Sequence, residues 1–473
     1  MLDTIQAMLS DLGTDYQEVV VRSHNLVRRS VSCREGELEE TTTENLAGIG
    51  IRVLIDGGWG FASFSGSYDS IDNPAGLLRK TLQDATKISK MLSRSRHQKV
   101  QLAPAIPTVG KFQVTSSNRS SLSLEEMMDL ALEIDKAVQT SSELIKSSGV
   151  ALGSIREQKS ILTLSGTSIE VVDEKSDLYV SAIATQNGRL ESHTESVGIT
   201  GNVKDLFRSK NPLELAARAS NLAIKKLDSR IPSAGTHLVV LDPEIVGLLC
   251  HEAIGHTVEA DFVLSGSIAK GKLGEAVASP EVTMIDSGTR MEGAGWLPVD
   301  DEGTKANETV LIEAGVLTSY LHNRETAELM DFKPTGNCRA GGYSREPIIR
   351  MTNTFIKPGD WNREEIIQDT KSGVLLAGAG SGEADANAEY VFDVSEAYPI
   401  KNGEVSSELL RGVAISGNAF ETLKSVDAIG ANFKLEMGAG ACLKGGQPVK
   451  VDGGGPSLRC QVRIAGRNYN NGG

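Results

Sequence analysis

The sequence is short of basic residues, and this shortage excludes one large class of functions. Its 473 residues contain 48 Lys and Arg against 62 Asp and Glu, which gives a formal net charge of −14. A protein that binds the phosphates of a nucleic acid needs a basic face. The sequence therefore predicts no nucleic-acid partner.

Cysteines and long apolar runs are also scarce. The chain has 5 Cys, too few for a disulfide scaffold in a chain of this length and typical of a reducing compartment. No run approaches the roughly 20 apolar residues of a membrane span. The N-terminus, Met1 to Leu12, contains Asp3 and no basic segment, so we do not expect a signal peptide. These features predict a cytoplasmic protein with no membrane partner.

What remains is a globular composition, with 40% hydrophobic and 23% charged residues. A chain of this length is expected to form two domains. The segment Asp228 to Gly235 carries Pro, Gly and Ser and is the predicted boundary. We therefore predict an α+β protein with an N-terminal mixed α/β domain, 1–230, and a β-rich C-terminal domain, 231–473, that carries the metal-site helix described below.

Local patterns give a coarse map of elements. In the first half, the predicted helices are Met1 to Leu12, Pro74 to Leu92, Leu124 to Ser141 and Leu213 to Leu227, and the predicted strand regions are Glu18 to Arg22, Ser30 to Ser65 and Ser160 to Thr200. In the second half, the predicted strands are Leu238 to Leu241, Thr309 to Ile312, Val316 to Leu321, Ile348 to Phe355, Gly373 to Ala379, Tyr390 to Val394, Glu404 to Ile415 and Leu458 to Ile464. The tail Asn468 to Gly473 is expected to fray.

The most informative stretch is His251-Glu252-Ala253-Ile254-Gly255-His256. Two neutral imidazoles can hold a catalytic zinc, and a glutamate that is not a ligand can take a proton from water. With 7 His in the chain, a chance H-E-x-x-x-H is expected on the order of 0.01 times. The alternative is a buried helix with two structural histidines, which rarely carries an adjacent Glu in this arrangement.

The five-residue spacing of the two histidines predicts an irregular helix. Asp242 is the predicted N-cap and Pro243 the first helical residue. On an ideal α-helix, a step of five residues overshoots a full turn by about 140°, so the rings would point apart. A π-turn near Ile254 and Gly255, or an end of the helix there, would bring the rings together.

Two histidines do not complete a catalytic zinc site, which usually has three protein ligands. Spacing alone does not choose the third, although Cys442 lies among small residues that permit a close approach and Cys250 is a poor ligand because neighbouring helical residues diverge. The candidates are Cys250, Glu259 and Asp261 nearby, and Cys33, His237, His322, Cys338, Cys442 and Cys460 at a distance.

The chain resembles the TldD/PmbA family, because several motifs of that family occur in it in the same order. Members of this family were once called modulators of DNA gyrase and are now regarded as zinc metallopeptidases. Besides the histidine motif, the matching pieces are Val299-Asp-Asp-Glu-Gly303, Pro334-Thr-Gly-Asn337, Arg350-Met-Thr-Asn-Thr354, Phe392-Asp-Val-Ser-Glu-Ala-Tyr398 and Cys442-Leu-Lys-Gly-Gly-Gln447. The intact H-E-x-x-x-H motif resembles the active, TldD-like subunits. Two positions, Cys338 and Leu443, depart from the glycine that the family often has there.

The resemblance implies a function and a site. It makes His251, His256 and Cys442 the ligands of a Zn²⁺ ion and Glu252 the general base. It implies a peptidase that acts on short or unfolded peptides and forms a dimer, with a PmbA-like (TldE-like) subunit or with itself. The alternative is a non-catalytic or peptide-modifying metal-binding subunit of such a complex.

Other polar residues have weaker interpretations. The acidic cluster Asp300, Asp301 and Glu302 could bind a peptide N-terminus or a second metal, although a solvated turn is favoured. His322 with Arg324, or Tyr398, could stabilise an oxyanion, and each could equally have a structural role. The segment Arg350 to Phe355 is a candidate edge strand for binding a peptide by strand addition.

Overall fold

In a computed structural model of the protein, the described residues are 1–113, 121–437 and 439–466. Strands account for 43% and helices for 25% of the chain, so the predicted α+β class with a β-rich C-terminal portion is confirmed. The predicted tail Asn468 to Gly473 lies outside the described residues, as does Gly438 beside the Cys442 motif.

The first half forms one large sheet with helices against it. Its elements are α1 (Leu2–Ser10), β1 (Tyr16–Arg34), β2 (Glu37–Ile55), β3 (Gly58–Ser65), α2 (Pro74–Ser95), β4 (Val109–Gln113), α3 (Leu124–Gln139), β5 (Ile145–Thr163), β6 (Ser168–Gln186), β7 (Arg189–Thr200), α4 (Val203–Ser209) and α5 (Pro212–Leu227). The strand order is β3-β2-β1-β5-β6-β4, and β7 pairs with β6. One apolar cluster packs α1 and α2 against the sheet, and a second packs α3 and α5.

The predicted break between Arg22 and Ser30 is wrong, because β1 runs through it. Polar residues such as Asn25 and Arg28 interrupt the alternation there, but β1 pairs with β2 on one side and with β5 on the other throughout this segment. Hydrogen bonds to a strand on each side pair the backbone N–H and C=O groups of β1 regardless of its side chains.

The second half contains many short strands. Its elements are β8 (Gly235–Leu241), α6 (Pro243–Leu248), a π-helix (Leu249–Gly255), a 3₁₀ turn (His256–Val258), α7 (Ala260–Leu264), β9 (Met284–Ser287), β10 (Glu308–Glu313), β11 (Val316–Leu317), α8 (Arg324–Met330), β12 (Cys338–Arg339), β13 (Ile348–Ile349), β14 (Asn353–Ile356), α9 (Arg363–Asp369), β15 (Ser372–Ala384), β16 (Glu389–Lys401), β17 (Glu404–Val405), β18 (Val413–Asn418), α10 (Ala419–Lys424), β19 (Ala428–Ile429), β20 (Lys434–Leu435), β21 (Ala441–Lys444), β22 (Gln447–Lys450), β23 (Asp452–Gly455) and β24 (Leu458–Gly466).

Two sheets of this half enclose α6 and the π-helix. One has the order β11-β10-β9-β14-β23-β20, and in the other β15, β8, β24, β18 and β16 pair in a closed ring. The largest apolar cluster combines Ile245 and Ile254 of the helical segment with residues of both sheets, such as Met284 and Phe392. The histidine motif is therefore fixed in the main core of the second half.

The predicted strand Ile348 to Phe355 is two strands in the structure. The carboxylate of buried Asp286 accepts hydrogen bonds from the Thr352 N–H, the Thr352 and Thr354 hydroxyls and the Asn337 amide. These bonds take the place of a regular ladder between β13 and β14. Since β14 pairs with β9 and β23, it is an inner strand, and the expectation of a peptide-binding edge at Arg350 to Phe355 is wrong.

The acidic loop Asp300–Glu302 joins the two halves. All three side chains are buried, so the expectation of a solvated turn is wrong. Lys159 of β5 lies 3.0 Å from the Asp301 carboxylate, and Arg52 of β2 lies 3.1 Å from that of Glu302. Burial and the neighbouring Glu302 raise the pKa of Asp300 well above its usual value. Each buried carboxylate is thus paired, hydrogen-bonded or held towards its neutral form.

None of the helices in the described ranges is long and apolar enough to cross a membrane.

Candidate metal centre

The helix that carries the histidine motif changes its geometry at the motif. It begins as an α-helix at Pro243, continues as a π-helix over Leu249–Gly255 and ends in a 3₁₀ turn. The predicted irregular helix is confirmed. Asp242 occupies the N-cap position, but its carboxylate makes no cap bond and pairs instead with Arg363, at 2.8 Å for both oxygens.

The π-helix brings the two imidazoles together. The ring centroids of His251 and His256 are 5.1 Å apart, with 76° between the ring planes. Gly255 permits this turn, because a Cβ at that position would lie 1.9 Å from Met351 Sδ and 2.9 Å from the Cys250 carbonyl oxygen. A five-residue step that separates side chains on an α-helix therefore joins them here.

Cys442, on β21, completes a three-residue cluster with the two histidines. The nitrogen and sulfur atoms that these residues offer all lie within 4.8 Å of one another, and Cys442 Sγ is 3.5 Å from His256 Nε2. His251 is only 1% exposed, yet neither of its ring nitrogens has a hydrogen-bond partner. Buried polar atoms are normally bonded, so an unpartnered imidazole beside a thiol and a second imidazole fits a zinc ion with one open position.

Without a metal, the cluster favours a thiolate next to an imidazolium. Burial would raise the pKa of Cys442, but the adjacent His251 and His256 imidazoles outweigh it and lower this pKa to about 5. Burial would lower the pKa of His256, but its hydrogen bonds to Cys442 and Glu259 raise that pKa to about 10. A thiolate is the form of cysteine that binds metals.

A second layer of contacts, the Glu259 clasp, holds His256 and β21 together. Glu259 is fully buried, and its Oε2 lies 2.9 Å from His256 Nδ1 and 2.9 Å from Lys444 Nζ. Lys444 also donates to Asp261 Oδ1 at 2.8 Å and to the Ile349 carbonyl at 2.9 Å. A carboxylate on Nδ1 leaves Nε2 for a metal. Glu259 and Asp261, two local ligand candidates, are therefore engaged in orienting the cluster.

Arg350 anchors the hairpin that carries Cys442. Its guanidinium is fully buried and donates to the carbonyl oxygens of Cys442, at 2.5 Å, and Gln447, at 2.8 Å. The hairpin β21–β22 forms a separate two-stranded sheet, so contacts of this kind fix its position. In the sequence Arg350 lies near the start of the predicted strand Ile348 to Phe355, and no local pattern indicates this role.

Glu252 stands beside the cluster in the wall of a cavity of about 670 Å³. Within the described ranges its carboxylate forms no hydrogen bond or salt bridge, and it is partly exposed. The cavity wall comes from both halves of the chain, and includes Tyr179, His193 and Lys226 as well as His251 and Glu252. The free carboxylate next to the cluster is positioned to exchange protons with a molecule in the cavity.

The structure places the other sequence candidates elsewhere. His322 is buried against Phe332, with ring centroids 4.9 Å apart, and Arg324 pairs with Glu18. Tyr398 donates to Glu396 Oε2 at 2.9 Å. Of the described cysteines and histidines, those that lie outside the three-residue cluster are Cys33, Cys250, Cys338, Cys460, His24, His97, His193, His237 and His322.

A second group of candidate ligands, His193, Glu195 and Glu396, already has a cation. Arg218 pairs with both Glu195 and Glu396, so a metal would have to displace a guanidinium. Lys226 donates to His193 Nδ1 at 3.2 Å. No local pattern in the sequence indicates this group, because its members come from both halves of the chain.

Comparison with known families gives three matches along the chain. Residues 19–89 match the PmbA/TldA metallopeptidase domain 1, residues 118–227 the central domain and residues 234–466 the C-terminal domain. Together these matches cover most of the sequence.

Individual relatives extend the likeness over the full length. A metalloprotease of Methanothermobacter thermautotrophicus is 35% identical over 98% of both chains. A zinc metalloprotease TldD homolog of Saccharolobus solfataricus is 35% identical over 56% of this chain and 59% of its own. Among solved structures, TldE from Thermococcus kodakarensis has a TM-score of 0.76 at 17% identity and covers 98% of this chain and 100% of its own. That structural likeness shows the fold alone.

Proposed function

The chain belongs to the PmbA/TldD metallopeptidase family, and from this premise we propose that it is a zinc-dependent peptidase that hydrolyses short or unfolded peptides. His251, His256 and Cys442 are the proposed zinc ligands, and Glu252 is the proposed general base. The observation that carries this proposal is a cluster of two imidazoles and a thiol, of which His251 lines the same cavity as the free carboxylate of Glu252.

The residues of the chain have distinct parts in the reaction. Zinc, when bound, would polarise the scissile carbonyl and lower the pKa of water. Glu252 takes a proton from the attacking water and then delivers it to the nitrogen of the leaving amine. Glu259 orients the imidazole of His256, and Arg350 holds the strand of Cys442.

The peptide is proposed to bind in extended form along β15. Residues 380–382 of that strand line the cavity. Gly382 pairs with Phe392 of β16 after a register shift that follows Ala379, whereas β8 pairs with β15 at Val374–Leu376, several residues earlier. An edge of this kind can accept a peptide through backbone hydrogen bonds, which tolerates many sequences. It replaces the inner strand β14 as the candidate for strand addition.

A paired assembly is part of the proposal, with a PmbA-like subunit or with a second copy of the chain. The family resemblance supports it. The net charge of −14 supports the expectation that no nucleic acid is bound, and a cytoplasmic location remains a proposal.

The alternative, a metal-binding subunit that cleaves no peptide, is less well supported. A structural metal site has no use for a free carboxylate beside its ligands, yet Glu252 lies there without a partner among the described residues.

Mass spectrometry of an unfolded peptide tests the proposal. The peptide is incubated with zinc-loaded protein, alone and with a PmbA-like partner, and with metal-free protein as the control. We expect fragments only when zinc is present, and the masses of the two fragments should add up to the mass of the peptide plus one water. A peptide that keeps its mass in every mixture contradicts hydrolysis, and a mass change without cleavage indicates a modifying enzyme instead.

A further inference from the structure

Lys226, in the last turn of α5, lies in the wall of the cavity that contains His251 and Glu252. Its ammonium donates to the Ser192 carbonyl oxygen at 3.0 Å and to His193 Nδ1 at 3.2 Å. An ammonium has three N–H donors, so one donor remains for a molecule in the cavity.

Lys226 is held by hydrogen bonds rather than by a salt bridge. Both of its hydrogen-bond partners are uncharged acceptors, and within the described ranges it forms no salt bridge. Three acidic residues line the same wall. Glu191 pairs with Arg411 at 3.1 Å, Asp393 accepts a hydrogen bond from Ser381 at 3.0 Å, and Glu252 is the proposed general base. Hydrogen bonds therefore fix the ammonium of Lys226 in the cavity wall, but no salt bridge to a described residue neutralises it.

The surroundings of Lys226 fix its position. His193 Nε2 lies 2.7 Å from Glu195 Oε1, which keeps the proton on Nε2 and leaves Nδ1 to accept from Lys226. Arg218 donates to the same Glu195 oxygen at 2.8 Å. Glu195 and His193 are therefore positioning residues for the ammonium.

We propose that Lys226 binds the C-terminal carboxylate of the peptide substrate, so that the protein prefers peptides with a free carboxyl end within reach of the cavity. This inference rests on the proposed peptidase function and adds a substrate class to it. The chemistry of the site favours a carboxylate because an ammonium that has lost part of its hydration gains most from a charged acceptor.

The pKa of Lys226 reflects its partial burial. Burial lowers this pKa, and the carboxylates of Glu191, Glu396 and Glu195 oppose the shift. Glu191 pairs with Arg411, and Glu195 and Glu396 both pair with Arg218. Among the described residues of the cavity wall, Lys226 is therefore the cation left for the anionic end of a substrate.

Paired peptides test the proposal without any substitution. One unstructured peptide, acetylated at its amino end, is prepared with a free C-terminal carboxylate and with a C-terminal amide. For zinc-loaded wild-type protein, with its partner subunit if one is required, we expect KM to be about 10- to 100-fold lower for the carboxylate form, as for a charge-assisted hydrogen bond. Equal KM values overturn the proposal.

Two substitutions on the same helix assign the effect to one residue. Lys226→Met keeps the apolar stem and is expected to remove the difference by raising KM for the carboxylate peptide. Lys225→Met, at an exposed neighbouring position outside the cavity wall, is the matched control and should keep the difference. A fall in kcat on both peptides in Lys226→Met would assign the residue to the scissile carbonyl and overturn the carboxylate subsite.

Binding separates this inference from the proposed function. Calorimetry with zinc-loaded Glu252→Gln measures both peptides without hydrolysis. If neither peptide is cleaved by the wild-type protein but the carboxylate form binds about 10- to 100-fold more tightly, the peptidase function fails and the subsite stands. Equal binding of the two forms overturns the subsite whether or not hydrolysis occurs.

Discussion

Removing the charge of Lys444 tests whether the Glu259 clasp positions the metal-site residues. Lys444→Met keeps the stem that packs on Phe262, where Nζ now lies 4.4 Å from the ring centroid. The lysine side chain is 10% exposed and that of Glu259 is 0% exposed. Loss of one partner of a buried ion pair costs about 3–5 kcal/mol, and we expect about 3 kcal/mol because Glu259 keeps its bond to His256.

Part of this loss of free energy in Lys444→Met should appear as a lower affinity for zinc. Removing a residue that orients a ligand typically weakens metal affinity about 10- to 100-fold, and we expect this range for zinc in a chelator competition assay. Arg350 still holds the Cys442 carbonyl, so binding should weaken without disappearing.

A surface lysine provides the control for this experiment. Lys272 pairs with Glu275 at 3.2 Å, and the two side chains are 35% and 58% exposed. An exposed pair contributes about 0–1 kcal/mol, so Lys272→Met should bind zinc like the wild type. Wild-type zinc affinity in Lys444→Met would refute the positioning role of the clasp.

Three further outcomes follow from the cluster geometry. Cys442→Ser should lose most of its zinc in metal analysis, and retention at wild-type affinity would place the third ligand elsewhere. Gly255→Ala should destabilise the protein by about 1–3 kcal/mol through overpacking against Met351 and weaken zinc binding; an unchanged melting temperature and zinc affinity would contradict the need for glycine. In metal-free protein the pKa of Cys442 falls from 9.0 to about 5 and that of His256 rises from 6.5 to about 10. The contribution of Cys442 to stability grows as pH rises from about 5 to 9, whereas that of His256 is lost from about pH 6.5 to 10. The free energy of unfolding, measured in urea, should therefore be level between about pH 6.5 and 9 and fall on both sides of this range. A monotonic change with pH would contradict the ion pair.

The irregular helix was predictable because its cause is local. Five residues separate His251 from His256, and the periodicity of an α-helix alone shows that a shared metal requires a wider turn. Cys442 was different. It lies 186 residues from His256 in the sequence, and its selection among several candidate ligands depended on the family resemblance.

Contacts between distant segments account for most of what sequence patterns did not predict. The local sequence of the acidic loop at Asp300–Glu302 is that of a solvated turn. In the folded chain, Lys159 and Arg52 of the first half pair with its carboxylates. Lys226 likewise gives no local signal, because its neighbourhood is created by β7 and by the second half of the chain. The division into domains at 230 and 231 stays a prediction.

Peptide turnover by the Glu252→Gln variant shows whether Glu252 is the general base, because this substitution separates metal binding from hydrolysis. The amide nearly preserves the shape of the side chain but cannot accept a proton as a carboxylate does. We expect the variant to bind zinc like the wild type and peptide turnover to fall by about 10²–10⁴-fold. Near-normal turnover by zinc-loaded Glu252→Gln would contradict the proposed mechanism.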